Sequence, residues 1–339
     1  MIKIYTDTNY LKPEFRKIIF PLLLDVHFTK SALALDHFLL VETIETCDVV
    51  ILPVAVNYYY KSKKKAALHQ FIDSALAKNK KVWVYTAGDY GITFRKDVTV
   101  FRLGGFASKL TKNEAILPSF VTDVYTTLFS HQWEPVAKSI TPQIGFVGQA
   151  NKSIFKLIKE FVLHIKLSFL KLFNVSLGDS QSFYPSSFKR YQILKKLQDS
   201  DQISTNFILR KLYRAGVKTE DEKQHTTFEF FKNIETNLYT VCIRGAGNFS
   251  VRLYETLMMG RIPIIINSDM KLPLEEYINW KNHVVFTDAK NLVNDIVTFH
   301  NTHSEERLLF IQQENRKLML GMFQRVNYFK AFYTFKNEF

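Results

Sequence analysis

At 339 residues the chain is longer than one ordinary hydrophobic core needs, and two domains are expected. Its 47% hydrophobic and 14% aromatic content excludes a disordered protein, and its two cysteines exclude a disulfide scaffold. The surplus of 45 basic over 32 acidic residues, net +13, favours anionic partners such as nucleotides, nucleic acid or an acidic membrane face, without choosing among them.

Taken in order, the first third alternates short apolar strands with helical stretches. Lys3–Thr6 reads as a strand and Val49–Val54 as a buried one, with a helix predicted over Asp36–Glu45 between them. Lys63–Lys78 carries Ala66, Ala67, Leu68, Phe71, Ile72, Ala75 and Leu76 at helical spacing. The strands Lys81–Tyr85 and Val98–Arg102 follow, each closed by glycines, at Gly88 and at Gly104-Gly105. This alternation predicts a parallel, doubly wound sheet, in which ligands bind beyond the carboxyl ends of the strands. Asp7, Gly88–Gly91 and Gly104–Ser108 take such positions.

Two prolines punctuate Glu134–Pro142, and a second strand with glycines begins at Ile144–Gly148. The domains are therefore drawn as 1–138 and 139–318, followed by a helical tail at 319–339. Beyond the second boundary come a long helical region, a polar loop at Gly178–Ser182, a helix near Phe188–Leu197 and the strand Ile203–Leu209. Strands Leu238–Ile243 and Ile262–Ile266 flank a helix at about Val251–Met259. The fold expected from these elements is α/β, two domains with a cleft between them.

The chemistry concentrates in YTVCIRGAGNFSVRLYETLMMGRIPIIIN, Tyr239–Asn267. This reads as strand, glycine loop, helix, glycine stop and buried strand. Gly245 and Gly247 are expected to turn the backbone sharply, Ser250 to cap the helix, and Gly260 with Pro263 to end it. The free amides of that helix, with Arg244 at the strand end and Arg252 in the first turn, make an anion pocket suited to a diphosphate. Glu255 lies three residues on, where a carboxylate suits vicinal ribose hydroxyls. Spacing alone leaves a second reading open, in which Arg252 and Glu255 form a surface i,i+3 ion pair.

The same run, Cys242–Ile266, resembles the signature of exostosin-like glycosyltransferases: Arg-Gly, a Ser, Arg-Leu-Tyr-Glu, then a glycine and Ile-Pro before a buried strand. IGFVGQA at Ile144–Ala150 resembles that family's opening strand and glycine turn, with Gly148 in it. NFILR at Asn206–Arg210 resembles its Asn-Phe-x-x-Arg element, and LPLEEYINW at Leu272–Trp280 its Leu-Pro-Phe…Trp stretch. The likeness runs from about Pro142 to the C-terminal helix and is much weaker before it. It implies a GT-B fold, two Rossmann-like domains facing a central cleft with the C-terminal helix packing back toward the first. It also implies inverting transfer from a nucleotide-sugar donor to a glycan or lipid-linked acceptor, with no cofactor and no metal. The donor site implied comprises Arg244, Gly245, Asn248, Ser250, Arg252, Glu255, Gly148 and Arg210. Surface polysaccharide synthesis is the family-level expectation; the alternative is a non-catalytic, basic, membrane- or polysaccharide-binding relative.

Inverting transfer needs a general base, expected from the cleft side of the first domain. Asp7, directly after the first strand, is the candidate with the better position. Asp123 in LPSFVTDVY is the other, equally readable as a helix-start residue. Asp199-Ser200-Asp201 has Asp-x-Asp spacing but sits in a polar stretch and reads as a solvated loop. No nucleic-acid motif occurs, and no such partner is expected. The opening MIKIYTDTNYL has no apolar leader and no uncharged stretch long enough to span a bilayer, so a cytoplasmic protein is expected. Lys152–Phe173 leaves two readings open. It is either a helix lying on an anionic inner membrane face or a buried helix covering the second sheet, with its lysines snorkelling to solvent.

Overall fold

The computed structural model describes residues 1–172 and 178–338. In chain order its elements are β1 (Ile2–Tyr5), α1 (Pro21–Leu23), α2 (Ala32–His37), β2 (Phe38–Leu40), β3 (Val49–Ile51), α3 (Val56–Lys61), α4 (Lys65–Leu76), β4 (Lys81–Tyr85), β5 (Thr99–Arg102) and β6 (Glu114–Ile116). There follow β7 (Gln143–Gln149), α5 (Ile154–Leu172), α6 (Ser186–Gln198), β8 (Ser204–Arg210), α7 (Glu220–Thr236), β9 (Tyr239–Cys242), α8 (Val251–Met258) and β10 (Ile262–Ile266). β11 (Val285–Thr287), α9 (Leu292–Thr302), α10 (Glu305–Leu320) and α11 (Arg325–Glu338) complete the chain.

The strands form two wholly parallel sheets, β2-β1-β3-β4-β5-β6 and β11-β10-β9-β7-β8. Both show the two-faced burial that period-2 geometry imposes on a sheet covered on each side. In the first, Val49, Ile51, Trp83 and Phe101 face one core, while Val50, Leu52, Val82, Val84 and Val100 face the other. In the second, Cys242 and Ile265 face α8, and Val241 and Ile264 face the layer of α6 and α9.

The last helix ties the halves together. Phe329 of α11 lies 5.1 Å from Phe101, 5.2 Å from Phe20 and 5.8 Å from Trp83, and the Tyr328 hydroxyl donates to the Ile116 carbonyl at 2.6 Å. Two Rossmann-like domains with the terminal helix returning onto the first is the GT-B arrangement.

Two local expectations are corrected. The helix drawn over Asp36–Glu45 is instead α2, ending at His37, because Phe38–Leu40 pairs in register with Ile2–Ile4 as an edge strand. Of the two readings left open for Lys152–Phe173, the helix buried over the second sheet does not occur. Ile154, Ile158, Phe161, Val162, Ile165 and Phe169 of α5 are exposed, and α6 covers the sheet after β7 through Ile193, Leu194 and Leu197. Phe173 lies outside the described residues.

Candidate functional site

β9 runs Tyr-Thr-Val-Cys with every residue buried and delivers Ile243 and Arg244 at its carboxyl end. The loop 245–249 closes on itself through the Gly245 amide and the Phe249 carbonyl at 3.3 Å, and α8 starts at Val251. Ser250 has the extended backbone of a cap residue, yet its side chain makes no capping bond; within the first turn of α8 the Leu253 amide donates to the Ser250 carbonyl at 3.2 Å. Gly260 ends the helix with φ +61°, and a β-carbon there would meet the Trp133 ring at 2.6 Å.

Three arginines converge on this point. Arg244 is 4% exposed, its guanidinium lying 4.4 Å from the Tyr184 ring and 5.2 Å from Phe106. Its Nη2 donates to Gln181 Oε1 at 2.8 Å and to the Ala246 carbonyl at 3.0 Å. Arg252 reaches the internal strand β7: Nη2 donates to the Val147 carbonyl at 2.6 Å, and the guanidinium lies 4.1 Å from the Phe146 ring. Gly148 makes room for it, since a β-carbon there would come within 2.9 Å of Arg252 Nη2. Arg252 is thus half-buried, its guanidinium engaged by the backbone of β7 rather than standing free in solvent. The third is Arg190 of α6, which donates to the carbonyls of Arg244 at 3.2 Å and Gln149 at 3.5 Å.

Burial works against these charges. It lowers the Arg244 pKa, and it brings that of Arg252 down to about 10, with the Cys242 thiol opposing and Arg190 adding like-charge repulsion. Arg244 Nε and Arg252 Nε are buried without a hydrogen-bond partner among the described residues. Buried cations with orphaned donors are what an anionic ligand would satisfy. Glu255, one turn into α8, is half-buried near Arg252, whose charge it helps to hold.

Other predicted residues are placed differently. Asn248 is wholly buried and saturated: its amide donates to the carbonyls of Gly105, Ser268 and Asp269, and its oxygen accepts from Ser268. It clasps the two domains and has no donor left for a ligand. Arg210 pairs with Glu229 and donates to the Thr226 carbonyl at 3.2 Å, anchoring α7. A β-carbon on Gly245 would make only an ordinary contact, with Arg190 Nη2 at 3.8 Å, whereas one on Gly247 would strike the Asp89 carbonyl at 2.1 Å. Gly247 is needed because the first domain approaches there, and neither glycine has a positive φ.

Asp123 accepts from the Tyr125 amide at 3.1 Å and pairs with Arg316 of α10 at 2.7 Å. Its lone pairs are thus committed to structure, at the head of a turn over 124–128 rather than of the expected helix. Asp7 does lie past the end of β1, where it accepts from the Asn9 amide at 3.0 Å and caps the turn Thr8–Tyr10. The first-domain groups that meet the arginine loop come from the ends of β4 and β5 instead: Asp89, Gly104, Gly105 and Phe106.

Arg190 carries no signal in the sequence, because its helix has no glycine loop and no motif before it. A cavity of about 290 Å³ adjoins the arginine loop at Ala246, lined also by Tyr90, Gln181 and Tyr184 and roofed by α5. A larger one, about 550 Å³, opens at the amino ends of β4–β6 near Lys81 and Glu114, the wrong end of a parallel sheet for the chemistry.

Residues 185–302 match the family model of the Exostosin GT47 domain. That stretch is similar to the exostosin family of glycosyltransferase domains. The probable beta-1,4-xylosyltransferase IRX10L of Arabidopsis thaliana is 32% identical over 69 residues, 20% of this chain and 16% of that protein. Exostosin-1 of Drosophila melanogaster is 27% identical over 101 residues, 29% of this chain and 13% of its own length. The likeness therefore spans less than one fifth of either relative. Among solved structures, a glycosyltransferase from Rickettsia africae ESF-5 covers 99% of this chain and 98% of its own at 13% identity, with a TM-score of 0.41. TarM covers 84% of this chain and 54% of its own at 11% identity, with a TM-score of 0.36. At those scores the likeness adds nothing to the topology above. The exostosin-like domain holds all three convergent arginines and Glu255, whereas β7 with Gly148 precedes the matched stretch.

Proposed function

We propose that this protein is a glycosyltransferase that moves a sugar from a nucleoside-diphosphate donor to a hydroxyl of a glycan or lipid-linked acceptor, inverting the anomeric centre. The observation that carries this reading is the convergence of Arg190, Arg244 and Arg252 on the uncapped start of α8, inside an exostosin-like domain. Charge on the departing diphosphate grows as the glycosidic bond breaks, and pre-positioned guanidinium groups and helix amides stabilise it more than the ground state. They supply the positive charge that a divalent cation supplies in other sugar transferases, so no metal is required in this scheme. Glu255 accepts from the ribose hydroxyls.

The acceptor hydroxyl attacks from the first-domain side, and a carboxylate there removes its proton. Asp7 and Asp89 both follow strand ends on that side, and Asp89 is the one whose backbone touches the donor loop at Gly247. The test is a thermal-shift panel of uridine and guanosine diphosphates and their sugar conjugates. At least one should raise the melting temperature of the wild type, and Arg244→Ala or Glu255→Ala should abolish the rise. No shift with any of them overturns the donor site.

A further inference from the structure

We infer that α5 is a membrane-docking helix that lays its outer face on an anionic lipid surface beside the mouth of the cleft. Ile154, Ile158, Phe161, Val162, Ile165 and Phe169 follow the spacing i, i+4, i+7, i+8, i+11, i+15 and so share one helical face. All six are exposed, from 46% at Phe161, whose ring also packs edge-on against Phe183 at 5.1 Å, to 65% at Ile154, and Phe155 at the edge of the stripe is 87% exposed. An apolar stripe of this length and exposure marks an interaction surface.

Charge selects the occupant. Lys159 and Lys166, two turns apart, border the stripe on its Phe155 side, exposed and with no carboxylate paired to either among the described residues. Glu160, the one acidic residue of α5, lies on the opposite flank near Lys156 at 3.8 Å. Apolar side chains bordered by unpaired lysines match acyl chains beneath acidic headgroups, and the net charge of +13 draws the whole protein the same way. The helix does not cross the bilayer: no helix among the described residues is long and apolar enough to do so. It lies in the interface.

The inner face of α5 is fixed to the body of the protein. Lys171 donates to the Asp179 carbonyl at 2.7 Å, and Glu160, His164 and Leu167 line the 290 Å³ cavity that reaches Gln181 and Ala246. Docking would therefore set this cavity at headgroup level, where a lipid-linked acceptor presents its hydroxyl. That last step rests on the donor-site reading; lipid binding by α5 does not.

The experiment is flotation of the full chain with vesicles of equal parts phosphatidylglycerol and phosphatidylcholine, against pure phosphatidylcholine. The wild type should float with the anionic vesicles alone. The double variants Ile158→Glu/Ile165→Glu and Lys159→Glu/Lys166→Glu should each weaken partitioning by about tenfold or more. Because these side chains are exposed, both variants should keep the wild-type melting temperature and its shift with a nucleoside diphosphate. Wild type that stays unbound, or variants that float as well as it does, overturns the docking helix. Sedimentation showing that the isoleucine pair instead holds two copies of the chain together, with flotation unchanged, also overturns it. Loss of the nucleotide shift in the wild type, with flotation intact, removes the donor reading and leaves the docking helix standing.

Discussion

Arg190 holds the backbone of Arg244: its guanidinium donates to the Arg244 carbonyl at 3.2 Å, joining α6 to the strand end that carries the first motif arginine. A residue so placed both shapes the donor loop and adds charge to it. Arg190→Ala should raise the dissociation constant for a nucleoside diphosphate by on the order of tenfold or more, with Arg190→Lys recovering part of the loss. Isothermal titration measures this directly; unchanged affinity in both variants would remove Arg190 from the site.

Arg252 is expected to matter twice. Removing it strips the Val147 carbonyl of a 2.6 Å donor and opens a void beside Phe146, so Arg252→Ala should lower stability by about 1–3 kcal/mol and also abolish nucleotide binding. Urea melts with and without ligand separate the two effects.

Gly247 faces the Asp89 carbonyl so closely that any side chain must push the domains apart. Gly247→Ala should cut transfer by roughly 100-fold through misplacement of the acceptor side, while each domain stays folded. Small-angle scattering would show the wider cleft; an unchanged profile with full activity contradicts the close approach.

The two remaining first-domain carboxylates separate by kinetics. Asp89→Asn should lower turnover by about 100-fold or more with nucleotide affinity intact. Asp7→Asn should leave both turnover and stability nearly unchanged, because an asparagine oxygen caps the turn Thr8–Tyr10 as an aspartate does. The reverse result would return the base to Asp7.

Stability should fall on the acid side. His300 is fully buried, bonded to the Tyr239 hydroxyl at 3.0 Å and the Ser139 carbonyl at 2.9 Å, and burial lowers its pKa below the usual 6.5; His283 is lowered likewise. A histidine depressed in the folded state binds its proton more readily when unfolded. Its contribution is thus complete above pH 6.5 and is lost as pH falls through the folded value. Melting temperature should decline from neutral pH toward pH 5, less steeply in His300→Gln.

Much of the site was legible because it is local. Strand, loop and helix around Arg244 and Arg252 follow from burial runs and a helix start within some twenty residues, and the motif order adds its family. Asn248 misled for a local reason too. A polar residue in a glycine loop looks free, but its amide is consumed by Gly105, 143 positions away, and by Ser268 and Asp269. Arg210 likewise spends its charge on Glu229, a partner no motif names.

The sequence by itself determined two parallel α/β domains, their strands apart from β2, β6 and β11, and the arginine-bearing loop ahead of α8. Each of these rests on periodicity and on turn residues within a short window. Only the tertiary structure decided that Arg190 joins Arg244, that Asp123 belongs to Arg316, that α6 covers the sheet after β7, and that α5 is left outside it. Those outcomes depend on which distant surfaces meet: a hydrophobic pattern says that a helix has an apolar face, but not whether protein covers it.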